Sequence, residues 1–251
     1  MLGLMLDRLR VMPAFARKPR LAALQRADRQ LPRTCLLCLA PAAADGLCRD
    51  CIADLPTLPD ARCPLCATPL QRAGLCGECL VRAPRYDRLI AALLYQFPVD
   101  ALVQRLKYAG DLAVALPLAL ALARAARSSR RPEVLVPLPL SPARLAQRGF
   151  NQAAELARIV ARQLQIPLAV GACRRVRDTA PQAALPWKAR HANIRDAFAC
   201  DDTVAGLHVA LIDDVATTGA TLDEAAAALK RAGAREVEGW VVARTPRAQP
   251  I

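Results

Sequence analysis

The chain has 251 residues, 54% hydrophobic and 23% charged, with 35 Arg and Lys against 22 Asp and Glu and a formal net charge of +13. That apolarity excludes a mainly disordered chain, and the length holds one core of ordinary domain size plus a small satellite. The longest charge-free apolar run, 112–123, contains Pro117 and falls short of the ~20 residues that cross a bilayer, so no membrane span is expected.

A basic surface attracts phosphates, nucleic acid and anionic lipid heads alike. Only four of the basic residues are lysine (Lys18, Lys107, Lys188 and Lys230), and alanine is abundant. Both features match the coding bias of a GC-rich genome, so clustering is more informative than total charge. Residues 1–34 hold eight Arg or Lys against Asp7 and Asp28, and residues 174–195 hold six against Asp178. In the first segment Asp7, Arg8 and Arg10 interrupt any apolar stretch of signal-peptide type. It reads as a basic helical arm of a cytoplasmic protein, with an organellar transit peptide as the lesser alternative.

Eight of the ten cysteines lie between positions 35 and 79 in four Cys-x-x-Cys pairs. They form a duplication: Cys35, Cys38, Cys48 and Cys51 reappear 28 positions later as Cys63, Cys66, Cys76 and Cys79. A Cys-x-x-Cys turn brings two sulfurs to one side of a tight loop, and two such knuckles complete a tetrahedral four-sulfur site, for which zinc fits best. So short a segment with so few aromatics folds only if a metal replaces the missing core. Two structural zinc ions are therefore expected over residues 35–82. Spacing leaves open whether the knuckles pair in order or interleave. Disulfides, a redox pair and an iron–sulfur cluster fit less well. Cys173 and Cys200 read as small buried hydrophobes, and His191 and His208 as ordinary residues.

Pro84 marks the exit into a second domain, residues 83–251, expected to have a core of its own. The pattern predicts strands at 89–95, 133–138, 168–176, 209–213 and 235–243, and helices at 99–108, 112–127, 151–165 and 221–232. Alternation of this kind implies an α/β fold with a mostly parallel sheet flanked by helices. Ligands then bind beyond the carboxyl ends of the strands.

There the sequence reads Val209-Ala-Leu-Ile-Asp213-Asp214-Val-Ala216-Thr217-Thr218-Gly219-Ala220-Thr221. A buried strand ends in two carboxylates and passes through a hydroxyl-rich turn into an alanine-rich helix. Converging backbone N–H groups at the helix start, the tight turn at Gly219 and the threonine hydroxyls suit a phosphate. The acidic pair suits the vicinal hydroxyls of a ribose, directly or beside Mg²⁺. A simple helix cap is the bland alternative. A Walker B strand fails because the chain has no Gly-x-x-x-x-Gly-Lys-Ser/Thr.

This stretch resembles the 5-phosphoribosyl-1-pyrophosphate (PRPP) signature of type I phosphoribosyltransferases. Further stretches narrow the resemblance to the ComF family: Val136-Pro137-Leu138-Pro139 with Arg148-Gly-Phe-Asn-Gln152, Arg174-Arg175-Val-Arg177-Asp-Thr179-Ala-Pro-Gln182, then Arg190, Asn193, Arg195 and Ala197-Phe198, together with Leu106-Lys107-Tyr108 and the duplicated knuckles. It covers residues 35 to about 245 and leaves the arm out. It implies a type I phosphoribosyltransferase fold behind a double zinc ribbon, and a Mg²⁺-dependent PRPP site. Asp213 and Asp214 would hold the ribose, residues 216–221 the 5′-phosphate and Pro137 and Leu138 the pyrophosphate, with Arg148 beside it. Lys107 fits a site role and a surface role equally. Residues 174–195, with Arg174, Arg175, Arg177, Thr179, Gln182 and Arg190, match a mobile loop that closes over substrate. Single-stranded DNA, DNA-uptake or recombination proteins and a second copy of the chain are the partners the resemblance implies. Two functions follow from it: phosphoribosyl transfer from PRPP to an unnamed acceptor, or non-catalytic DNA binding with PRPP as a regulatory ligand.

Overall fold

The computed structural model describes residues 33–177 and 194–246. The described chain opens on a short antiparallel pair, β1 (Arg33–Thr34) and β2 (Pro41–Ala42). Two single-turn helices follow, α1 (Arg49–Ala53) and α2 (Gly77–Val81), whose N-caps are Cys48 and Cys76. The remaining elements are β3 (Arg88–Leu94), α3 (Val99–Tyr108), α4 (Ala115–Ala126), β4 (Val134–Pro137), α5 (Pro142–Arg148), α6 (Gln152–Leu164), β5 (Cys173–Arg175), β6 (Phe198–Cys200), β7 (His208–Ala216), α7 (Ala220–Arg231) and β8 (Glu236–Arg244). Strands β3, β8, β7 and β4, in that spatial order, form an all-parallel sheet.

Parallel strands are covered on both faces, which is why residues 209–212 of β7 read as an unbroken apolar run. Val209 and Leu211 point into one core with α7, while Ala210 and Ile212 point into the other with α3, α4 and α6. Helix α6 begins where the Asn151 side chain accepts the Ala153 N–H at 3.0 Å and ends at Gln165 in the left-handed region. Both ends follow ordinary capping chemistry.

Three local expectations need correction. The strand foreseen at 168–176 is divided: Leu168 bridges Leu135 at the sheet edge, the chain turns at Val170-Gly171, and Cys173–Arg175 pairs antiparallel with Phe198–Cys200. Helix α5, unforeseen, starts with the Ser141 cap and Pro142 in its first turn, and stops at Gly149 with φ +79°. Strand β7 continues three residues beyond Asp213 to Ala216, so both carboxylates sit within the strand.

The expectation of separate cores also fails. Cys63, Cys66, Cys76 and Cys79 are buried in one core with Tyr86, Leu89 and α7 residues such as Leu222, whereas Cys35 and Cys48 are buried in the other with Leu93, Leu102 and Leu118. The cysteine segment straddles the β3 edge. Leu89 N–H donates to Leu65 O at 2.8 Å, Leu94 N–H donates to Pro56 O at 2.7 Å, and Thr57 bridges Leu93. Pairing satisfies backbone groups that an open edge would leave bare.

Candidate functional site

The turn after β7 is built around Gly219, whose φ of +79° is left-handed and whose absent Cβ would stand 3.0 Å from the Tyr86 hydroxyl. Glycine meets both demands. Thr218 Oγ1 accepts the Ala220 N–H at 3.2 Å as α7 begins. A small hollow lined by Asp213, Val215, residues 216–221 and Leu222 lies at this helix N-terminus, where N–H groups and the helix dipole favour an anion.

The acidic pair is asymmetric. Asp214 is 2% exposed, and Lys107 Nζ lies 2.6 Å from its Oδ2. Asp213 is half-buried. Its Oδ1 accepts the Asp214 N–H at 2.8 Å, while Asp214 Oδ1 accepts the Val215 N–H at 2.9 Å. Desolvation, then the neighbouring Asp214 charge, pushes the Asp213 carboxyl well above its ordinary range against the pull of Lys107. Burial pulls the Lys107 ammonium down, and the two aspartates more than offset this, leaving it above its usual value. The Asp213 carboxyl therefore holds a proton more tightly than a free carboxyl does.

Pro137 and Leu138 follow at the end of β4. Leu138 N–H donates to Ile212 O at 2.8 Å, and the Asn151 amide donates to Leu138 O at 3.0 Å. Arg148 donates to Gln152 Oε1 and stacks over the Tyr108 ring, 5.7 Å from its centroid. Through Tyr108 it is tied to the helix that carries Lys107. Lys107 itself stands beside the acidic pair, through its contact with Asp214.

The loop residues are brought together only in part. Arg174 is exposed and reaches Asp201 at 3.3 Å. Arg175 is buried, with its guanidinium 5.8 Å from the Phe198 ring centroid, and Arg177 donates to Arg195 O at 2.6 Å. Arg175 thus anchors the β5–β6 hairpin instead of facing solvent. Thr179, Gln182, Arg190 and His191 lie outside the described residues, as does the arm up to residue 32. Cys173 and Cys200 face each other across the hairpin with sulfurs 2.9 Å apart.

Several residues of this region escaped the sequence reading. Asp223 and Glu224 on α7 are nearly buried and share the Arg85 guanidinium at 2.8 and 2.7 Å. Glu224 also accepts the Asp196 N–H at 3.1 Å. Acidic residues in the first turns of a helix read as solvated helix formers, and nothing local marks a partner 138 positions away. At the other end of the sheet, His208 is buried beside Glu236 and Glu238, each 3.9 Å away. Arg130 holds Glu236, and Ser129 and Trp240 hold Glu238.

The eight ribbon cysteines pair in order. Cys35, Cys38, Cys48 and Cys51 form one cluster and Cys63, Cys66, Cys76 and Cys79 the other, with the sulfurs of each within 4.8 Å of one another. Cys48 Sγ accepts the Cys51 N–H at 3.4 Å. Burial resists ionisation of Cys66, but Thr68, Cys76 and the Arg244 charge outweigh it and bring the thiol down to about 6. Both sulfur sets fit a closed, structural zinc site.

The family described as "Double zinc ribbon domain" matches residues 27–80, and that described as "Phosphoribosyl transferase domain" matches residues 151–250. "Competence protein F" of Haemophilus influenzae is 34% identical over 170 residues, which cover 64% of this chain and 74% of that protein. The chain belongs to the ComF family. Another relative, "DNA utilization protein YhgH" of Salmonella typhi, is 35% identical over 170 residues, 65% of this chain and 75% of that one. Among solved structures, the purine phosphoribosyltransferase of Pyrococcus horikoshii aligns with 55% of this chain and 78% of its own at 22% identity and a TM-score of 0.32. As a ComF protein the chain joins two cysteine clusters that fit structural zinc to a phosphoribosyltransferase domain. Among the described residues no helix is long and apolar enough to cross a membrane.

Proposed function

We propose that this ComF protein binds PRPP and acts as a phosphoribosyltransferase-like protein in the handling of single-stranded DNA. The observation that carries the reading is the asymmetric pair of Asp213 and Asp214, held by Lys107 one turn ahead of a glycine-gated helix N-terminus. Residues 216–221 would take the 5′-phosphate, and Asp213 the ribose hydroxyls. Asp214 would hold Lys107 beside Asp213, and Pro137 and Leu138, with Arg148 nearby, would take the pyrophosphate. Mg²⁺ bound with PRPP would supply charge to the leaving pyrophosphate. The chain's own share is orientation and preorganised charge at the anomeric carbon.

The relatives' names, which concern competence and DNA use, favour a second reading in which PRPP is a regulatory ligand of a DNA-binding protein. One measurement decides between them: pyrophosphate release from PRPP with Mg²⁺ and each nucleobase, then with single-stranded DNA. Release supports transfer. PRPP-dependent DNA binding without release supports the second reading. PRPP and Mg²⁺ should also raise the melting temperature by mass action on the folded state. Asp213→Asn with Asp214→Asn should remove that shift while the chain still folds, and normal PRPP binding by this double variant would refute the site assignment.

A further inference from the structure

Arg244, the last residue of β8, is 0% exposed. An arginine is always charged, and burying it demands partners for nearly all of its N–H groups. The partners come from two separate parts of the chain. Nε donates to Cys66 O at 2.9 Å and one terminal nitrogen donates to Thr68 Oγ1 at 2.8 Å. The other terminal nitrogen donates to Ala216 O at 2.8 Å and to Thr217 O. Thr68 Oγ1 in turn lies 3.1 Å from Cys66 Sγ. A continuous buried hydrogen-bonded path thus runs from a sulfur of the second cysteine cluster, through Thr68 and Arg244, to the two carbonyls that begin the phosphate turn.

Resting on the PRPP reading above, we infer that Arg244 is a positioning residue through which the second cysteine cluster sets the geometry of the phosphate turn, so that zinc in that cluster and PRPP in the site strengthen each other. Two physical arguments support the link. The guanidinium is a rigid plane, and its donors fix the Ala216 and Thr217 carbonyls relative to the Cys66 knuckle more tightly than any flexible side chain could. Charge also matches: four thiolates around a divalent ion leave a net charge of −2, and Arg244 is the buried cation beside it. This gives the cation a reason to be there that the phosphate turn alone, made of neutral carbonyls, does not. The first cluster is tied differently. Its knuckle carbonyl Leu36 O accepts from Arg105 at 2.7 Å, but Arg105 is also paired with Asp111 and is half-exposed, and it sits on α3.

The inference is tested in the full chain with its zinc in place, using Thr68→Val and Arg244→Lys. Val keeps the bulk of Thr68 without its hydroxyl, and Lys keeps the charge of Arg244 without the fork. Both variants should retain the wild-type zinc content, yet the amides of residues 217–221 should exchange with deuterium about tenfold faster and PRPP should bind about tenfold more weakly, a change of ~1.4 kcal/mol. Unchanged exchange in both variants overturns the inference. If Arg244→Lys fails to fold, Thr68→Val alone decides. Linkage adds a reciprocal arm: saturating PRPP with Mg²⁺ should slow the chelator-driven loss of one zinc ion per chain and leave the other unaffected. Equal protection of both ions, or of neither while PRPP is bound, refutes the coupling. Failure of the wild-type chain to bind PRPP would refute the site reading instead, and the exchange arm would then judge the relay by itself.

Discussion

Lys107 Nζ lies 2.6 Å from Asp214 Oδ2, with the lysine side chain 22% and the aspartate side chain 3% exposed. Two charges withdrawn from water at this distance are each other's main compensation, so deleting one leaves the other stranded.

Lys107→Met should therefore destabilise the chain by ~3 kcal/mol, read by denaturant unfolding. Asp214→Asn should cost a comparable amount, and combining the two should recover part of the loss. Strict additivity of the two costs would show that the contact carries no coupling.

The pair also predicts a pH dependence. The Asp213 carboxyl is raised in the folded chain, so the folded state binds its proton more tightly than the unfolded one. Stability from that proton is complete below the unfolded carboxylate range and is lost as pH rises through the folded value. Asp213→Asn should flatten the fall of melting temperature over this window relative to wild type. Parallel slopes for the two proteins would contradict it.

Removing metal should affect more than the ribbon. Elemental analysis should find two zinc ions per chain, one for each cluster. Because each cluster contributes buried cysteines to one of the two sheet-face cores, strong chelation should lower the melting temperature of the whole described fold in one cooperative transition. A ribbon that unfolds while the sheet melts unchanged would show the cores to be independent after all.

With zinc held by eight cysteines, Cys173 and Cys200 remain as a thiol pair. The Cys200 contact, followed by burial, raises the Cys173 thiol. A diazene oxidant, which takes up the two hydrogens, should therefore join them as a disulfide, and faster at higher pH as the thiolate fraction grows. Thiol counting with peptide mapping checks this, and Cys200→Ser should abolish it. Ten reduced thiols after treatment would show that the contact is unproductive.

The four strands of the parallel sheet with helices α3, α4, α6 and α7, the two cysteine quartets and the hydroxyl-rich turn into α7 were legible because each rests on local pattern: period, spacing or a short hydroxyl-rich string. Helix α5 carries local signals of its own, the Ser141-Pro142 start and the Gly149 stop. Lys107 could not be assigned, since its partner lies 107 positions away and a lysine near a helix end has an equally good solvated reading. Arg85 with Asp223, and Arg244 with Thr68, are pairings that only the folded chain creates. The knuckle pairing was undetermined because sequential and interleaved arrangements use the same spacing. The separate-core expectation failed because apolar residues such as Leu47, Leu55 and Leu65 do not reveal which sheet face they will cover.

The pairing of residues 56–65 with β3 has a consequence for synthesis. In the finished sheet β3 lies between these residues and β8, yet β8 leaves the ribosome last of the sheet's four described strands, more than 140 positions after β3. For most of translation the cysteine segment is the neighbour already made. Metal taken up early would let it shield one edge of a newborn apolar strand that would otherwise wait, open to association with other chains. Zinc supply during growth would then govern how much of the chain reaches the folded state, before any ligand is met.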